Sequence, residues 1–490
     1  FLWRKRDGAW QPTSWAEAAR QVASLAESLR SLGLERGDRV MLVSENRPEW
    51  CIADLGIMAA GCVTVPTYTT NTERDHQHII EDSGASAIIV STQKLAAAVM
   101  PAAIRATRTH HIIGIEPLRI GQSGGVEAHD WSALVERAGA DVAGCADRAA
   151  RSFTRDDLAC LIYTSGTGGA PRGVQQHHGA ILTNVDGCID IIAHDFGWSD
   201  EVFLSFLPLS HAYEHSGGQF LPIGLGGEIY YAESLEKLAA NIEEVRPTIM
   251  VVVPRLFEVL RARMLKTVEK QGKFAQGLMR RALAIGEKDM AGGVPIWDRP
   301  MSLFLDRTLR PKIKARFGGR LKALVSGGAP LNPEIGVFFH SVGLTLLQGY
   351  GQTEAGPVVS CNRPGVGLKM DTVGPPLKGV EVKIAGDGEI LVRGELVMHG
   401  YWRNQPETER VLKDGWLHTG DIGEIDEKGR IRITDRKKDI IVNDKGENVS
   451  PQKIEGMLTL QPEIVQAMVS GDKRPHLVGL IVPDPERHSL

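Results

Sequence analysis

Residues 163–174 read YTSGTGGAPRGV. Glycines, threonines and a serine crowd into this run, which closes on Pro171, Arg172 and Gly173. Glycines allow positive φ and close backbone approach, and successive exposed N–H groups then form a concavity for anions. The chemistry suggested is phosphate binding. Two phosphate templates do not fit. A Walker A loop needs Gly-Lys-Ser/Thr after four spacers; counted from Gly166, those places begin with Pro171 and Arg172. A GxGxxG reading from Gly166 and Gly168 also ends on Pro171. The residues alone leave two readings open, a phosphate loop of another kind or a flexible turn. Three further stretches set glycine beside hydroxyl, aromatic and charged groups: LQGYGQTE at 347–354, HTGDIG at 418–423 and TDRKKDII at 434–441. The His pairs at 110–111 and 177–178, and HQH at 76–78, lack a second ligand cluster at metal spacing, so no transition-metal site is expected there.

The elements that must carry these stretches follow from periodicity. Ser14 to Glu17 reads S-x-x-E, a capping box. Ala19, Val22, Ala26 and Leu29 then fall on one helical face, and Gly33 ends the helix. RVMLVSEN (39–46), CVTVPTY (62–68) and ASAIIVS (85–91) read as strands, with a helix over IADLGIMAAG (52–61). This alternation predicts a parallel sheet covered by helices. Residues 116–152 read as an irregular surface excursion or linker. LACLIYT is a buried strand running into the glycine run. TIMVVVP (248–254), LKALVSGGAP (321–330) and TLLQGYGQTE (345–354) are strands that end in Pro, in a Gly pair and in Gly-Tyr-Gly. In open α/β sheets ligands sit beyond the carboxyl ends of strands, so these ends predict one shared nucleotide cleft. Residues 257–312 form a long, basic, helical insertion. From about 372 short alternating strands predict a small β-barrel or sandwich, and a new strand, loop and helix begin near 439.

Composition bounds the rest. A length of 490 residues suggests about three domains, and 42% hydrophobic content is globular. A net charge of −4 gives no pull toward nucleic acid. No apolar run reaches the roughly 18 residues of a membrane span. Six scattered cysteines fit reduced, mostly buried thiols. The chain begins with Phe1 rather than Met, so an upstream piece is expected.

Taken in order, the four glycine-bearing stretches resemble the acyl-adenylate-forming enzymes, which include acyl-CoA synthetases, adenylation domains and luciferases. The resemblance covers nearly the whole chain. It implies an α/β fold with a large N-terminal AMP-binding domain over 1–437. That domain would hold two parallel-type α/β subdomains (about 1–150 and 151–370) and a β-barrel-like part (371–435). A small α+β C-terminal domain would start at 438, after a hinge, and looks incomplete at 490. The family's adenylation lysine would lie beyond the last residue, so the expectation is a chain that binds ATP but adenylates slowly on its own.

The resemblance also implies site residues. Thr164, Ser165, Gly166, Thr167, Gly168 and Gly169 would wrap the ATP phosphates, with Arg172 neutralising their charge. Gly168 and Arg172 depart from the family's usual Thr and Lys; Arg keeps the charge but changes donor geometry. Tyr350 would stack on adenine, against a wall of Gly327, Gly328 and Ala329, with Gln348, Gly349, Gly351 and Thr353 alongside. Glu354 and Thr167 would hold Mg²⁺, a hard ion that prefers oxygen ligands. Asp421 and Arg436 would meet the ribose. Lys438 would be the hinge, and Lys445, Gly446, Glu447 and Asn448 would face coenzyme A.

Within the family, FLSFLPLSHAYEHSGG (203–218) and VRPTIMVVVPRLFEVL (245–260) look like long-chain fatty acyl-CoA synthetases. His211 and Glu214 would lie at the acyl pocket. Medium-chain or aromatic acids, and a non-catalytic nucleotide- or acyl-binding relative, stay open as alternatives. The implied cosubstrates are ATP, Mg²⁺ and coenzyme A. The expected setting is cytoplasmic, with peripheral contact at the inner face of the membrane and a homodimer both left open.

Overall fold

Strands that are buried from end to end build the frame. A computed structural model describes all residues except 122–123, 137–138, 165–169, 438, 440, 443–447, 462, 475 and 485–490, and the side chains of 442, 448, 452 and 453. Arg39–Val43, Val63–Thr67 and Ala87–Val90 are buried along their whole length. Burial on both faces is the condition of a parallel sheet covered by helices. These strands pair in parallel at the centre of a seven-stranded sheet. Its far edge is the antiparallel pair Leu158–Thr164 and Arg172–His177.

A second, eight-stranded sheet runs from Val358–Cys361 through Leu346–Gly351, Ala323–Ser326, Ile249–Val252, Val202–Ser205 and Glu228–Tyr231. It ends on the N-terminal hairpin Leu2–Arg6 and Ala9–Thr13. The sheets thus exchange strands across the boundary expected near residue 150. Leu2 lies beside Ile229 in parallel register, while Leu158–Thr164 belongs to the first sheet. A buried apolar strand pairs wherever a matching edge is free, and no local pattern names that edge.

The barrel-like part is a five-stranded antiparallel sheet. It runs from Glu381–Ile384 to Glu389–Arg393, Trp416–Ile425 and Leu412–Lys413, with Ile431–Arg436 on the long strand; among the described residues this path is open. Beyond it, Ile441–Val442 pairs with Asn448–Val449, helix Pro451–Leu458 follows, and Ile464–Ser470 pairs with Val478–Pro483.

Local expectations meet three corrections. In helix Trp15–Ser31 the Ser14 Oγ accepts from the Glu17 N–H at 3.1 Å, but the Glu17 carboxylate turns to Arg20 at 2.7 Å and does not close the box. Residues 116–152 hold a strand, Glu127–Asp130, and helices Trp131–Val135 and Val142–Ser152. Trp131, Val135 and Cys145 bury into the core beside the first helix, so the tertiary contact supplies what the weak local pattern lacked. Strand pairing also gathers histidines that sequence spacing keeps apart. His111 Nδ1 and His129 Nε2 lie 3.1 Å apart with Glu127 beside them, and Asp156, His177 and His399 converge likewise.

The insertion forms helices Pro254–Lys270, Lys273–Gly292 and Arg299–Arg316, which pack on the second sheet through Phe257, Met279 and Ile313. No described helix is long and apolar enough to cross a membrane. All six cysteines are free thiols, and all but Cys188 are buried.

Candidate active site

The carboxyl ends of Ile249–Val252, Ala323–Ser326 and Leu346–Gly351 open on one cleft of about 950 Å³. Three parts meet there: the mouth of the glycine run, the Gly-Tyr-Gly strand end, and the strand Trp416–Ile425, which carries Asp421.

The glycine run joins two antiparallel strands. Thr164 and Arg172 face each other as its closing pair, and both line the cleft. Ser165, Gly166, Thr167, Gly168 and Gly169 lie outside the described residues. Arg172 does not point freely at the cleft. Its Nη1 is paired with Glu407, and its guanidinium lies 4.5 Å over the Tyr401 ring. Glu407 also takes Arg410 at 2.6 Å. Arg410, with Arg172 behind it, holds the Glu407 pKa down to about 2. Sequence reasoning missed Glu407 and Tyr401 because each lies more than two hundred residues from Arg172. The only local hint is a helix cap: Asn404 Oδ1 accepts from the Glu407 N–H at 3.3 Å.

At the second strand end, Gly349, Tyr350, Gly351, Thr353 and Glu354 line the cleft as expected. Gln348 does not. Alternation along the strand turns it away, and its amide donates to the Met370 carbonyl. A register shift between Tyr350 and Gly351 then brings successive residues to the cleft. Gly351 is required, because a Cβ there would collide with the Pro357 carbonyl. Gln352, absent from the sequence-based set, also lines the cleft, and its Nε2 is a buried donor with no partner among the described residues. Gly327 and Gly328 line the opposite wall. A Cβ at Gly327 would lie 2.7 Å from the Tyr213 ring, so glycine lets that ring close the wall. Ala329 does not reach the cleft; the chain turns outward at Gly328, φ +79°, and leaves it exposed.

Tyr350 plays two parts. Its ring is 8% exposed, packed in a cluster with Val174, Ala355 and Met398, yet it borders the cleft. Its hydroxyl donates to Asp421 Oδ2 at 2.6 Å. Arg436 Nε reaches Asp421 Oδ1 at 3.3 Å. Burial raises the Asp421 pKa, and the Tyr350 and Arg436 contacts oppose that rise. Asp421 is therefore a clamped acceptor at the cleft wall, with one oxygen held on each side.

Glu354 Oε1 accepts from the Tyr401 hydroxyl at 2.8 Å. This leaves a second carboxylate oxygen at the cleft without a donor among the described residues, a donor type that fits Mg²⁺. Nearer the mouth, Lys437 bridges Asp387 at 2.6 Å and Glu389 at 3.0 Å. Burial disfavours the Glu389 carboxylate, but His418, Lys437 and the Gly420 N–H hold its pKa below the ordinary range. Lys438, Lys445, Gly446 and Glu447 lie outside the described residues, and only the backbone of Asn448 is placed, in a short strand.

The other end of the cleft is apolar, walled by Ile191, Ile192, Leu221, Ile249, Val251 and Val325. Residues His215–Phe220 form a π-helix, a rare turn common at functional sites, which presents Gly217 to this arm. His211 is at the arm's entrance; its Nδ1 accepts from the Tyr213 N–H at 3.1 Å, and desolvation lowers its pKa. Glu214 does not line the cleft. It is buried under Gly218, where it accepts from the Ser205 hydroxyl at 2.6 Å, and burial pushes its pKa up to about 8. Its neighbour His215 meets the buried Asp54 at 2.8 Å and ties the π-helix to the first sheet's layer.

Comparison with known proteins agrees with this geometry. A family model described as AMP-binding enzyme matches residues 3–402, and one described as AMP-binding enzyme C-terminal domain matches 438–490. The chain is 36% identical to the long-chain-fatty-acid–CoA ligase FadD15 of Mycobacterium bovis, over 98% of this chain and 78% of that one. It is 30% identical to the long-chain-fatty-acid–CoA ligase 6 of Mus musculus, over 99% of this chain and 71% of that one. In fold it is similar to the o-succinylbenzoate CoA synthetase MenE of Bacillus subtilis in complex with its acyl-adenylate, with TM-score 0.70, 21% identity and coverage of 99% and 85%. ATP-bound MatB of Rhodopseudomonas palustris gives TM-score 0.71 at 22% identity, with coverage of 100% and 86%. The match to the AMP-binding enzyme model over residues 3–402, with 36% identity to a relative over nearly the whole chain, places this chain in the family of AMP-binding enzymes.

Proposed function

We propose that the protein is an ATP-dependent, AMP-forming ligase that joins a long-chain fatty acid to coenzyme A. The single observation that carries this reading is the continuity of the cleft. A polar end with Thr164, Glu354 and Asp421 opens directly into an apolar arm, so a carboxylate on a buried chain can meet a nucleotide phosphate. The relatives named long-chain-fatty-acid–CoA ligases support the same substrate class.

In the first step a carboxylate oxygen attacks the α-phosphorus of ATP. The acyl–O–P bond forms, the bond to the bridging oxygen breaks, and pyrophosphate leaves with the electron pair. In the second, the thiolate of coenzyme A attacks the acyl carbonyl carbon, the C–S bond forms, and AMP leaves. Both steps move negative charge between oxygens, so positioning and electrostatics supply most of the acceleration. Asp421 accepts from the ribose hydroxyls while Tyr350 and Arg436 fix its two oxygens. Arg172 and the Thr164 hydroxyl meet the phosphates at the mouth of the glycine run. Gln352 offers to the same end a donor that no described residue engages. Glu354 would hold a Mg²⁺ ion bound with ATP, and that ion would neutralise phosphate charge. The apolar arm orients the acyl chain and excludes water, with His211 at its entrance. The same reading divides the chain after 437, makes Lys438 the hinge, and turns Lys445–Asn448 toward coenzyme A after rotation. The C-terminal family match, which begins at 438, supports that division.

Exchange of labelled pyrophosphate into ATP, with acids from C6 to C18, tests this. The expected result is exchange that rises with chain length and none with amino acids. No exchange with any acid, while ATP still binds, would refute the catalytic reading.

A further inference from the structure

Strand pairing assembles a side-chain cluster that the reaction does not use. Glu127–Asp130 is the edge strand of the seven-stranded sheet and lies beside His111–Gly114. In their parallel register Glu127 is opposite His111, and His129 is opposite Ile113. Alternation then sets His111, Glu127 and His129 on one face of the sheet. His111 and His129 stand 18 residues apart in the chain, so no local motif announces the pair. None of the three residues lines the cleft. The edge strand reads Glu-Ala-His-Asp, and three of those four residue types are poor strand formers. Of the four, His129 alone is partly buried. Its ring is therefore the main hold that this strand's side chains have on the sheet.

Three ligand-type atoms meet there. His111 Nδ1 and His129 Nε2 lie 3.1 Å apart. Glu127 Oε2 is 3.8 Å from the first and 4.0 Å from the second. Two imidazole nitrogens this close need one positive centre between them, a shared proton or a metal ion. A shared proton has no use for a third ligand. The carboxylate oxygen, nearly equidistant from both nitrogens, is what an ion would use. The point equidistant from all three atoms is about 2.1 Å from each, the length of a Zn–N or Zn–O bond. Glu127 is 68% exposed, so its side chain is free to follow an ion, and a fourth position stays open for water. The His111 ring also meets the Leu32 carbonyl at the end of the first helix. A proton held on Nε2 by such a carbonyl leaves the Nδ1 lone pair for an ion, and the negative end of a helix favours a cation nearby. Two imidazoles and one carboxylate suit a borderline ion such as Zn²⁺; Mg²⁺ and Ca²⁺ prefer all-oxygen sites.

We infer that His111, Glu127 and His129 form a binding site for a Zn²⁺-type transition-metal ion, which clips the edge strand Glu127–Asp130 to the first sheet. The strand leads directly into helix Trp131–Val135, whose Trp131 and Val135 bury against the core beside the first helix. A bound ion therefore steadies the whole segment 127–135. The site stands apart from the ligase reading, and its test needs neither ATP nor acid.

Calorimetric titration of Zn²⁺ into the full chain, freed of metal by a chelator and then dialysed, tests it. The tightest event should be one Zn²⁺ per chain with Kd of about 1 μM or below. An excess of Mg²⁺ should not displace it. His129→Ala and Glu127→Gln should each weaken that event at least about tenfold while keeping wild-type circular dichroism. Zn²⁺ should raise the wild-type Tm and slow hydrogen exchange over 127–135, and it should do neither in His129→Ala. His399→Ala, in the second cluster with Asp156 and His177, should bind Zn²⁺ as the wild type does. Absence of Zn²⁺ binding by the wild type would overturn the inference and leave His111 and His129 as a hydrogen-bonded pair. Binding undiminished in either folded variant of the site, or displaced by Mg²⁺, would overturn it as well. Binding lost in His399→Ala instead would put the ion on the other cluster, and the inference would be wrong.

Discussion

Replacing Tyr350 by Phe separates two roles that one side chain combines. The substitution keeps the ring, its packing against Val174, Ala355 and Met398, and its face to the cleft. It removes only the hydroxyl that donates to Asp421 Oδ2 at 2.6 Å. A buried hydrogen bond to a charged acceptor contributes about 1.5–3 kcal/mol, more than a neutral one, because little solvent competes for it. Asp421 then keeps Arg436 on Oδ1 but loses the partner that fixes Oδ2. The interaction is present before and during reaction, so its loss should act on nucleotide binding rather than on turnover. At about 1.4 kcal/mol per factor of ten, KM for ATP should rise roughly ten- to a hundredfold with kcat little changed. A pH effect should accompany it. Burial already raises the Asp421 pKa, and the Tyr350 donor opposes that rise. Without the donor the pKa rises further, so ATP affinity should begin to fall at higher pH as the solution is acidified. The assay is pyrophosphate exchange at varied ATP from pH 5 to pH 8. An unchanged KM with an unchanged pH profile in a folded Y350F enzyme would refute the clamp and leave the ring as the residue's whole contribution.

Three further outcomes are expected. Glu407→Gln should release Arg172 from its pair and tighten ATP binding about three- to fivefold by calorimetry, a partly exposed ion pair being worth up to about 1 kcal/mol; weaker binding would mean that Glu407 aims Arg172 instead of competing for it. At Gly217 a Cβ would lie 3.0 Å from Val251 Cγ2, so Gly217→Val should fill the apolar arm and move the preferred acid to a chain several carbons shorter in the C6–C18 series. The same chain-length profile in a folded variant would show that the arm runs elsewhere. Glu214 has a folded pKa of about 8 against 4.5 unfolded, so the native state binds the extra proton and stability falls as pH rises between those values. Glu214→Gln, which keeps an acceptor for Ser205, should flatten the decline of Tm between pH 5 and pH 8; a decline as steep as in the wild type would place its source in another group.

Much of the site is legible from short-range requirements. The positive-φ turn at Gly328 answers to a local φ/ψ need that the sequence displays directly, and the Gly-Tyr-Gly stretch is legible as a strand end. Expectations failed where a side chain's direction depends on alternation or on a distant neighbour. Gln348 sits between cleft residues but points to Met370, and Glu214 follows the arm's sequence but folds back onto Ser205.

By itself the sequence determined most of the frame's helices and strands, though not those within 116–152, and which acids, bases and hydroxyls stand at strand ends. Period and φ/ψ preference act over a few residues, so one chain carries them openly. Only the tertiary structure decided the partners. It set Tyr350 on Asp421 across 71 residues and Arg172 on Glu407 across 235. It also put the N-terminal hairpin at the edge of the second sheet and His129 beside His111. Such pairings are chosen by the burial of whole layers, a sum over many weak contacts in which no two residues announce each other in the chain.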